Sequence, residues 1–332
     1  PESTERAVTA DQSNHSLVVG DRVLVKWRTA FDADGRRSTR LRRHLRAVGY
    51  EGVPSLLATA EWSDGAGNHV TLADIDTYLP DAIDGWDLCI AALMAEFSDG
   101  PAARLSAKAL PSTLGRMTAG MHVALARSSP YIPEPRHTAD ATTIAGWTAH
   151  ARASVREAIR IDAPDRATVA ACGAALLEDI EKLVSVDATP IQPTHGDLHL
   201  GQLLAWTGGL MFIDLDGPPG AAATSLGLEP TARDVAQMLV ALANLAAAVD
   251  RRTHGRHSSA LRSWAMRAQD DFLEAYRIEA GGSELPDLFD SRLLTPFIAA
   301  QLCQELIYAA TTLPRWRYAP MTALQWRYQE EP

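Results

Sequence analysis

The chain has little cysteine. Cys89, Cys172 and Cys303 are the whole complement among 332 residues. They are odd in number, far apart and in no C-x-x-C pair. That argues against a disulfide framework or a cysteine zinc site, and a reducing cytoplasm is the default compartment. A basic surplus is also missing: 31 Lys and Arg stand against 41 Asp and Glu, a net charge of −10. Nucleic acid and anionic membrane are therefore not expected partners. There is no signal peptide. The most apolar stretch, residues 235–249, contains Gln237 and Asn244 and is too short to cross a bilayer. No G-x-x-x-x-G-K-[ST] occurs, which sets aside a P-loop enzyme. Repeats and low-complexity tracts are absent. The first residue is Pro1 rather than Met, and a preceding segment is expected.

What is present is ordinary for a globular enzyme: 46% hydrophobic and 22% charged residues. The length exceeds what one core usually organises, so two lobes are expected. Near the start, Leu17–Val19 and Val23–Trp27 read as a hairpin turning at Gly20-Asp21, while residues 1–10 carry no signal. A basic helix ending near Gly49 follows. Two more strands are expected over Pro54–Trp62 and Val70–Leu79, around the turn "SDGAGN". From about residue 81 the apolar spacing becomes helical, interrupted by a hairpin pairing Gln202–Trp206 with Leu210–Asp214. This is an α+β order: a small β-rich lobe over residues 1–80 and a large helical lobe over 81–332.

The densest polar stretch is "PTHGDLHLGQLLAW", Pro193 to Trp206. Asp197 precedes the first hairpin strand and Asp214 ends the second, so a tight turn brings two distant carboxylates together. With the amide of Gln202 they form a hard oxygen set suited to Mg²⁺. Asp216 adds a third carboxylate, and such a cluster needs a cation or a proton. His195 and His199 are four apart, but a zinc pair at that spacing needs a helix, and Gly196 and Gly201 interrupt this segment. His195 reads as a brace for the loop; His199 is undecided.

These residues carry a resemblance. "HGDLHLGQLL" followed by "FIDLDG" is similar to the catalytic and metal loops of the protein-kinase-like small-molecule kinases, the group of aminoglycoside phosphotransferases, choline kinases and maltokinases. The resemblance implies a bilobal protein-kinase-like fold with ATP and Mg²⁺. It implies Asp197 as the base that orients and deprotonates an acceptor hydroxyl, and Gln202, Asp214 and Asp216 as metal ligands. It implies that Lys26, in the strand "VLVKW", reaches the nucleotide phosphates, that Ser13 and Asn14 lie in a phosphate-covering turn, and that Tyr78 and Leu79 flank adenine at the hinge. Asp234, in "ARDVAQML", becomes a structural residue capping the helix start. An N-terminal cap ahead of Pro1 is implied as well. One part departs: the helix that usually supplies a glutamate to the lysine, here "RRSTRLRRHLRAVG", has no acid at all. Lys26 then pairs elsewhere, with Glu51 the nearest later glutamate, or has an altered role.

The acceptor is read from "AQLCQELIYAATTLPRWRYAP". As a helix it places Gln301, Gln304, Glu305 and Tyr308 on one polar stripe, and an aromatic, proline-stiffened run follows with Trp316. Amide, acid and phenol groups suit sugar hydroxyls. The segment resembles that of maltokinase-like actinobacterial kinases acting on glucosamine, which implies phosphorylation of D-glucosamine to glucosamine 6-phosphate. Maltose (giving maltose 1-phosphate) and aminoglycosides are the alternative acceptors, and a nucleotide-binding pseudokinase is the alternative without catalysis. No nucleic acid or membrane is implied, and the molecule is expected to be a monomer or homodimer.

Overall fold

The computed structural model describes residues 5–8, 15–28, 37–65, 69–97, 105–217 and 226–329. A five-stranded antiparallel sheet opens the chain: β1 (Glu5–Ala7), β2 (His15–Val19), β3 (Val23–Trp27), β4 (Leu56–Ser63) and β5 (His69–Thr77), in the order β1-β2-β3-β5-β4. The β2–β3 hairpin is paired as its β-branched alternation predicts, with His15 opposite Trp27 and Val19 opposite Val23. β1 falls in the stretch that carried no sequence signal; it pairs Arg6 with Val18. Helix α1 (Arg37–Ala47) packs against the sheet and buries Leu41 and Leu45 completely.

The chain then becomes helical: α2 (Gly85–Ala95), α3 (Leu110–Leu125), α4 (Ala141–Arg160), α5 (Arg166–Glu181), α6 (Ala232–Arg252), α7 (Ser258–Gly281), α8 (Leu294–Thr311) and α9 (Tyr318–Tyr328). Short strands interrupt the series: β6 (Ile83–Asp84), β7 (His137–Ala139), β8 (Thr189–Pro193), β9 (Leu203–Trp206), β10 (Gly209–Phe212) and β11 (Leu228–Glu229). The expected hairpin is β9–β10, with Leu203 opposite Phe212. It is not isolated, because β6 joins it in the order β10-β9-β6. The other small sheet runs β11-β8-β7. β6 and β7 are too short to leave a periodic signal, which is why the sequence shows neither.

Helix α6 is the centre of the helical lobe, packed by α2, α7, α8 and α9. It runs beyond the apolar stretch noted in the sequence. It is long and apolar enough to span a bilayer by length and composition, yet almost all of it is inside the fold. Burying an apolar helix on every side is the alternative to placing it in lipid. α8 passes the same length and composition test and is about two-thirds buried. The three cysteines are unpaired and buried.

Candidate active site

The catalytic loop leaves β8 at Pro193 and turns sharply at Gly196, where φ is +87°. His195 is completely buried. Its Nε2 donates to the Ile213 carbonyl (2.9 Å) and its Nδ1 accepts from the Asp197 amide (3.4 Å). Burial pushes its pKa down against the pull of Asp234, which keeps it neutral and suits this tautomer. These contacts link His195 to Ile213 and to Asp197. Asp234 departs from its expected part. It lies inside the first turn of α6, and Thr231 occupies the cap position. Its carboxylate instead accepts from the His195 amide (2.7 Å), the Gly196 amide (2.9 Å) and His122 Nε2 (3.1 Å). Burial opposes its charge, but His122 and these donors overcome that and hold its carboxyl below the usual range. One turn on, Gln237 accepts from the Leu198 amide (2.9 Å) and donates to the Gly196 carbonyl (3.2 Å). The loop around Asp197 is thus fixed by two side chains of a buried helix, while the Asp197 carboxylate borders an open cavity, 4.0 Å from His199 Nε2.

The β9–β10 hairpin brings the next loop beside it: the Ile213 amide donates to the Gln202 carbonyl (2.9 Å). Asp214 sits at φ +61°, uncommon for a side-chain-bearing residue and a form of local strain that recurs at functional sites. The cation this acidic cluster needs comes first from the protein. Lys26 Nζ lies 3.6 Å from Asp214 and 3.8 Å from Asp216, and Arg28 lies 3.1 Å from Asp216. Lys26 does not turn to Glu51, which is exposed. Burial drives the Asp214 carboxyl up against the pull of Lys26. Burial works the same way on Asp216, but Arg28 and Lys26 outweigh it and hold that carboxyl far down. Gln202 turns its side-chain nitrogen toward His199 (3.4 Å). Asp214 and Asp216 are adjacent hard oxygen donors, and their chemistry fits Mg²⁺. Among the described residues no three His, Cys, Asp or Glu side chains form a ready-made metal cage.

The helix without acids is explained by its neighbour. β5 carries Asp74 and Asp76 on its α1-facing side. Arg42 of α1 pairs with both, and Asp74 also receives Arg28 (2.6 Å) and the Thr39 hydroxyl (3.2 Å). The polarity of the usual helix–strand pair is reversed, with cations on the helix and acids on the strand. Tyr78 and Leu79 follow β5. The Tyr78 amide donates to the Arg22 carbonyl (2.9 Å), its hydroxyl accepts from Arg6 (2.9 Å), and Leu79 is buried. Tyr78 is therefore tied to β1 and the hairpin turn, and its N–H is already engaged. Ser13 and Asn14 lie outside the described residues.

On the other side of Asp197 is a cavity of about 570 Å³. Gln301, Gln304, Glu305 and Tyr308 of α8 line it together with Trp316 and Asp197, so the polar stripe and the catalytic loop share one space. Leu302, Leu306 and Ala309, on the opposite side of α8, are buried in the core. Glu305 accepts from Gln301 (3.2 Å) and from Asn244. Burial, with the charge of Asp197 adding to it, raises its carboxyl to about 7 against these two donors. Trp86 meets Trp316 edge-on at 4.9 Å between centroids. Trp86 lines this pocket as well. Gly85 makes that possible, since a Cβ there would lie 2.5 Å from the Leu200 carbonyl and 2.3 Å from Leu203. Gln237 and Asn244 were seen only as blemishes in an apolar run. Their spacing of seven residues puts both on the α6 face toward the cavity, and that spacing was the available signal.

A kinase-like sheet lobe over a helical lobe, with an aspartate loop and a two-carboxylate loop in the cleft, defines the protein-kinase-like phosphotransferases that act on small-molecule hydroxyls. The fold is matched by the GDP complex of wild-type aminoglycoside 2'-phosphotransferase-IIIa (TM-score 0.52, 13% identity, covering 97% of this chain and 91% of that one). A glucosamine kinase in complex with glucosamine, ADP and inorganic phosphate matches with TM-score 0.83 and 30% identity, over 97% of this chain and 76% of that one. No family model matches the sequence. The glucosamine kinase of Streptacidiphilus jiangxiensis is 32% identical over 329 residues, 98% of this chain and 73% of its own length. That of Mycolicibacterium smegmatis is 31% identical over 327 residues, 96% of this chain and 78% of its own. The chain belongs to the glucosamine kinase family.

Proposed function

We propose that the protein transfers the γ-phosphoryl group of ATP to the 6-hydroxyl of D-glucosamine. The observation that carries this is the shared cavity: Asp197 and the α8 stripe Gln301, Gln304, Glu305 and Tyr308 line one space of sugar size. Glu305 is an acid in an apolar setting, and an ammonium group on the acceptor gives it the counter-charge it lacks. The aromatic pair Trp86 and Trp316 offers flat surface for a sugar ring.

Asp197 aligns the hydroxyl and accepts its proton as the oxygen bonds to the γ-phosphorus and the bond to the ADP oxygen breaks. Asp214, Asp216 and Gln202 would hold Mg²⁺, which would supply charge neutralisation to the phosphate oxygens. Lys26, already at the mouth of the acidic loop, contacts the nucleotide phosphates, and Tyr78 and Leu79 border the base. The sheet with its helix, residues 1–80, acts as one lobe over residues 81–332, and closure of the two excludes water. A cytoplasmic location follows from the need for ATP.

The test is a steady-state assay with ATP, Mg²⁺ and separate acceptors, with the product mapped by ³¹P NMR. Glucosamine is expected to be preferred, with phosphate at O6. Preference for maltose with anomeric phosphate, or for an aminoglycoside, moves the protein to those activities. No transfer to any acceptor, with nucleotide still bound, makes it a pseudokinase.

A further inference from the structure

We infer that Arg37 is a positioning residue that sets the spacing between the catalytic loop and the two-carboxylate loop, and so couples helix α1 to phosphoryl transfer. It is the first residue of α1, the helix that offers Lys26 no acid. Its guanidinium is buried and points out of the small lobe into the backbone of the large one. One terminal nitrogen donates to the Thr194 carbonyl (2.8 Å) and the His195 carbonyl (3.2 Å), and the other to the Leu215 carbonyl. Thr194 and His195 precede Asp197, with Gly196 between. Leu215 lies between Asp214 and Asp216. One rigid planar group therefore binds both loops at once.

Two glycines make room for it. Gly217 and Gly227 stand at φ +85° and +60°, and a Cβ on either would approach the guanidinium to 3.1–3.2 Å. Among the described residues its hydrogen-bond partners are three carbonyl oxygens. A buried guanidinium without a paired anion is costly, and five donors in a fixed fork are what three carbonyls in different loops require. Lysine, a single point donor, cannot span them. In this family member the helix reaches the reaction centre through backbone carbonyls of the loops rather than through a lysine–glutamate pair.

The inference rests on the phosphoryl-transfer role of the Asp197 loop, and the test separates the two. Arg37→Lys and Arg37→Ala are prepared in the full chain. Thermal melting, kcat, acceptor KM, Mg²⁺ half-saturation and amide hydrogen exchange in residues 193–199 and 213–217 are compared with the parent. For Arg37→Lys, kcat is expected to fall about 10–100-fold, the loss that misplacement of a reacting group by about 1 Å produces. Acceptor KM should stay within about threefold, Mg²⁺ half-saturation should rise, and exchange should quicken in both loops together. Millimolar guanidinium, but not ammonium, should restore part of the kcat of Arg37→Ala. A parent enzyme without transfer activity overturns the functional reading and this inference with it. An active parent beside an Arg37→Lys variant with unchanged kcat and unchanged loop exchange overturns the inference alone. So does a variant whose melting temperature falls while kcat and Mg²⁺ dependence hold, because that is a purely structural role.

Discussion

On one side of Asp197, Lys26 and Arg28 face Asp214 and Asp216 at 3.1–3.8 Å, and a second charge set, Arg42 with Asp74 and Asp76, lies behind them. On the other side, Glu305 is held by two amides, Gln301 and Asn244, in a cavity that Trp86 and Trp316 also line. The Lys26 side gives its acids cations, and these hold Asp216 low. The acceptor side raises its acid to about 7 by burial and withholds a cation. A site that neutralises its own charges is ready for a highly charged ligand that will exchange partners with it. A site that leaves an acid uncompensated is ready for a ligand that brings the missing charge.

The sharpest break of this contrast is Asp197→Asn, which sits between the two sides. Turnover should fall by roughly 10²–10⁴, the usual worth of a positioned base, while nucleotide affinity measured by calorimetry stays within about twofold. Near-parental turnover would remove Asp197 from its role. Next is Asp74→Leu, behind the nucleotide side. It leaves Arg28 and Arg42 with one carboxylate fewer in a buried setting, and chemical denaturation should show a loss of about 3–5 kcal/mol. A loss below about 1 kcal/mol would mean the reversed pair is only surface charge.

On the acceptor side, Glu305→Gln should raise glucosamine KM about 10–100-fold, the range for losing a charged hydrogen-bond partner. ATP KM should hold; an equal rise in both would place Glu305 outside the acceptor pocket. The smallest effect is on stability. The Glu305 carboxyl titrates higher in the folded chain than in the unfolded one. Its contribution is therefore fully present below about pH 4.5 and lost as pH rises through about 7. Glu305→Gln should gain on the parent between pH 5 and pH 8, by roughly 1–3 kcal/mol. A constant difference across that range would show that the carboxyl is not shifted.

The candidate residues around the hairpin were legible as a group because they are local. Asp197, Gln202, Asp214 and Asp216 lie within one loop–hairpin–loop unit, and the hairpin brings the Ile213 amide to the Gln202 carbonyl. The stripe Gln301, Gln304, Glu305 and Tyr308 was legible for the same reason, since one helix fixes it. Asp234 was recognised as structural but assigned to the wrong backbone. A side chain in the first turn of a helix can cap its own amides or another segment's, and only packing of α6 on the catalytic loop decides between them.

The amino-acid sequence by itself determined the reaction class and the polar face of α8, because the side-chain periods of hairpin and helix are properties of the backbone. Tertiary structure alone decided which face of the acidic cluster Lys26 meets, that Trp86 lines the same cavity as Asp197, that Gln237 and Asn244 look toward that cavity from α6, and that Arg37 reaches two loops more than 150 residues away. Each of these joins elements distant in the chain. Burial then sets their chemistry: removal from water turned an absent helix acid into a reversed ion pair and gave Glu305 a carboxyl that awaits a cation.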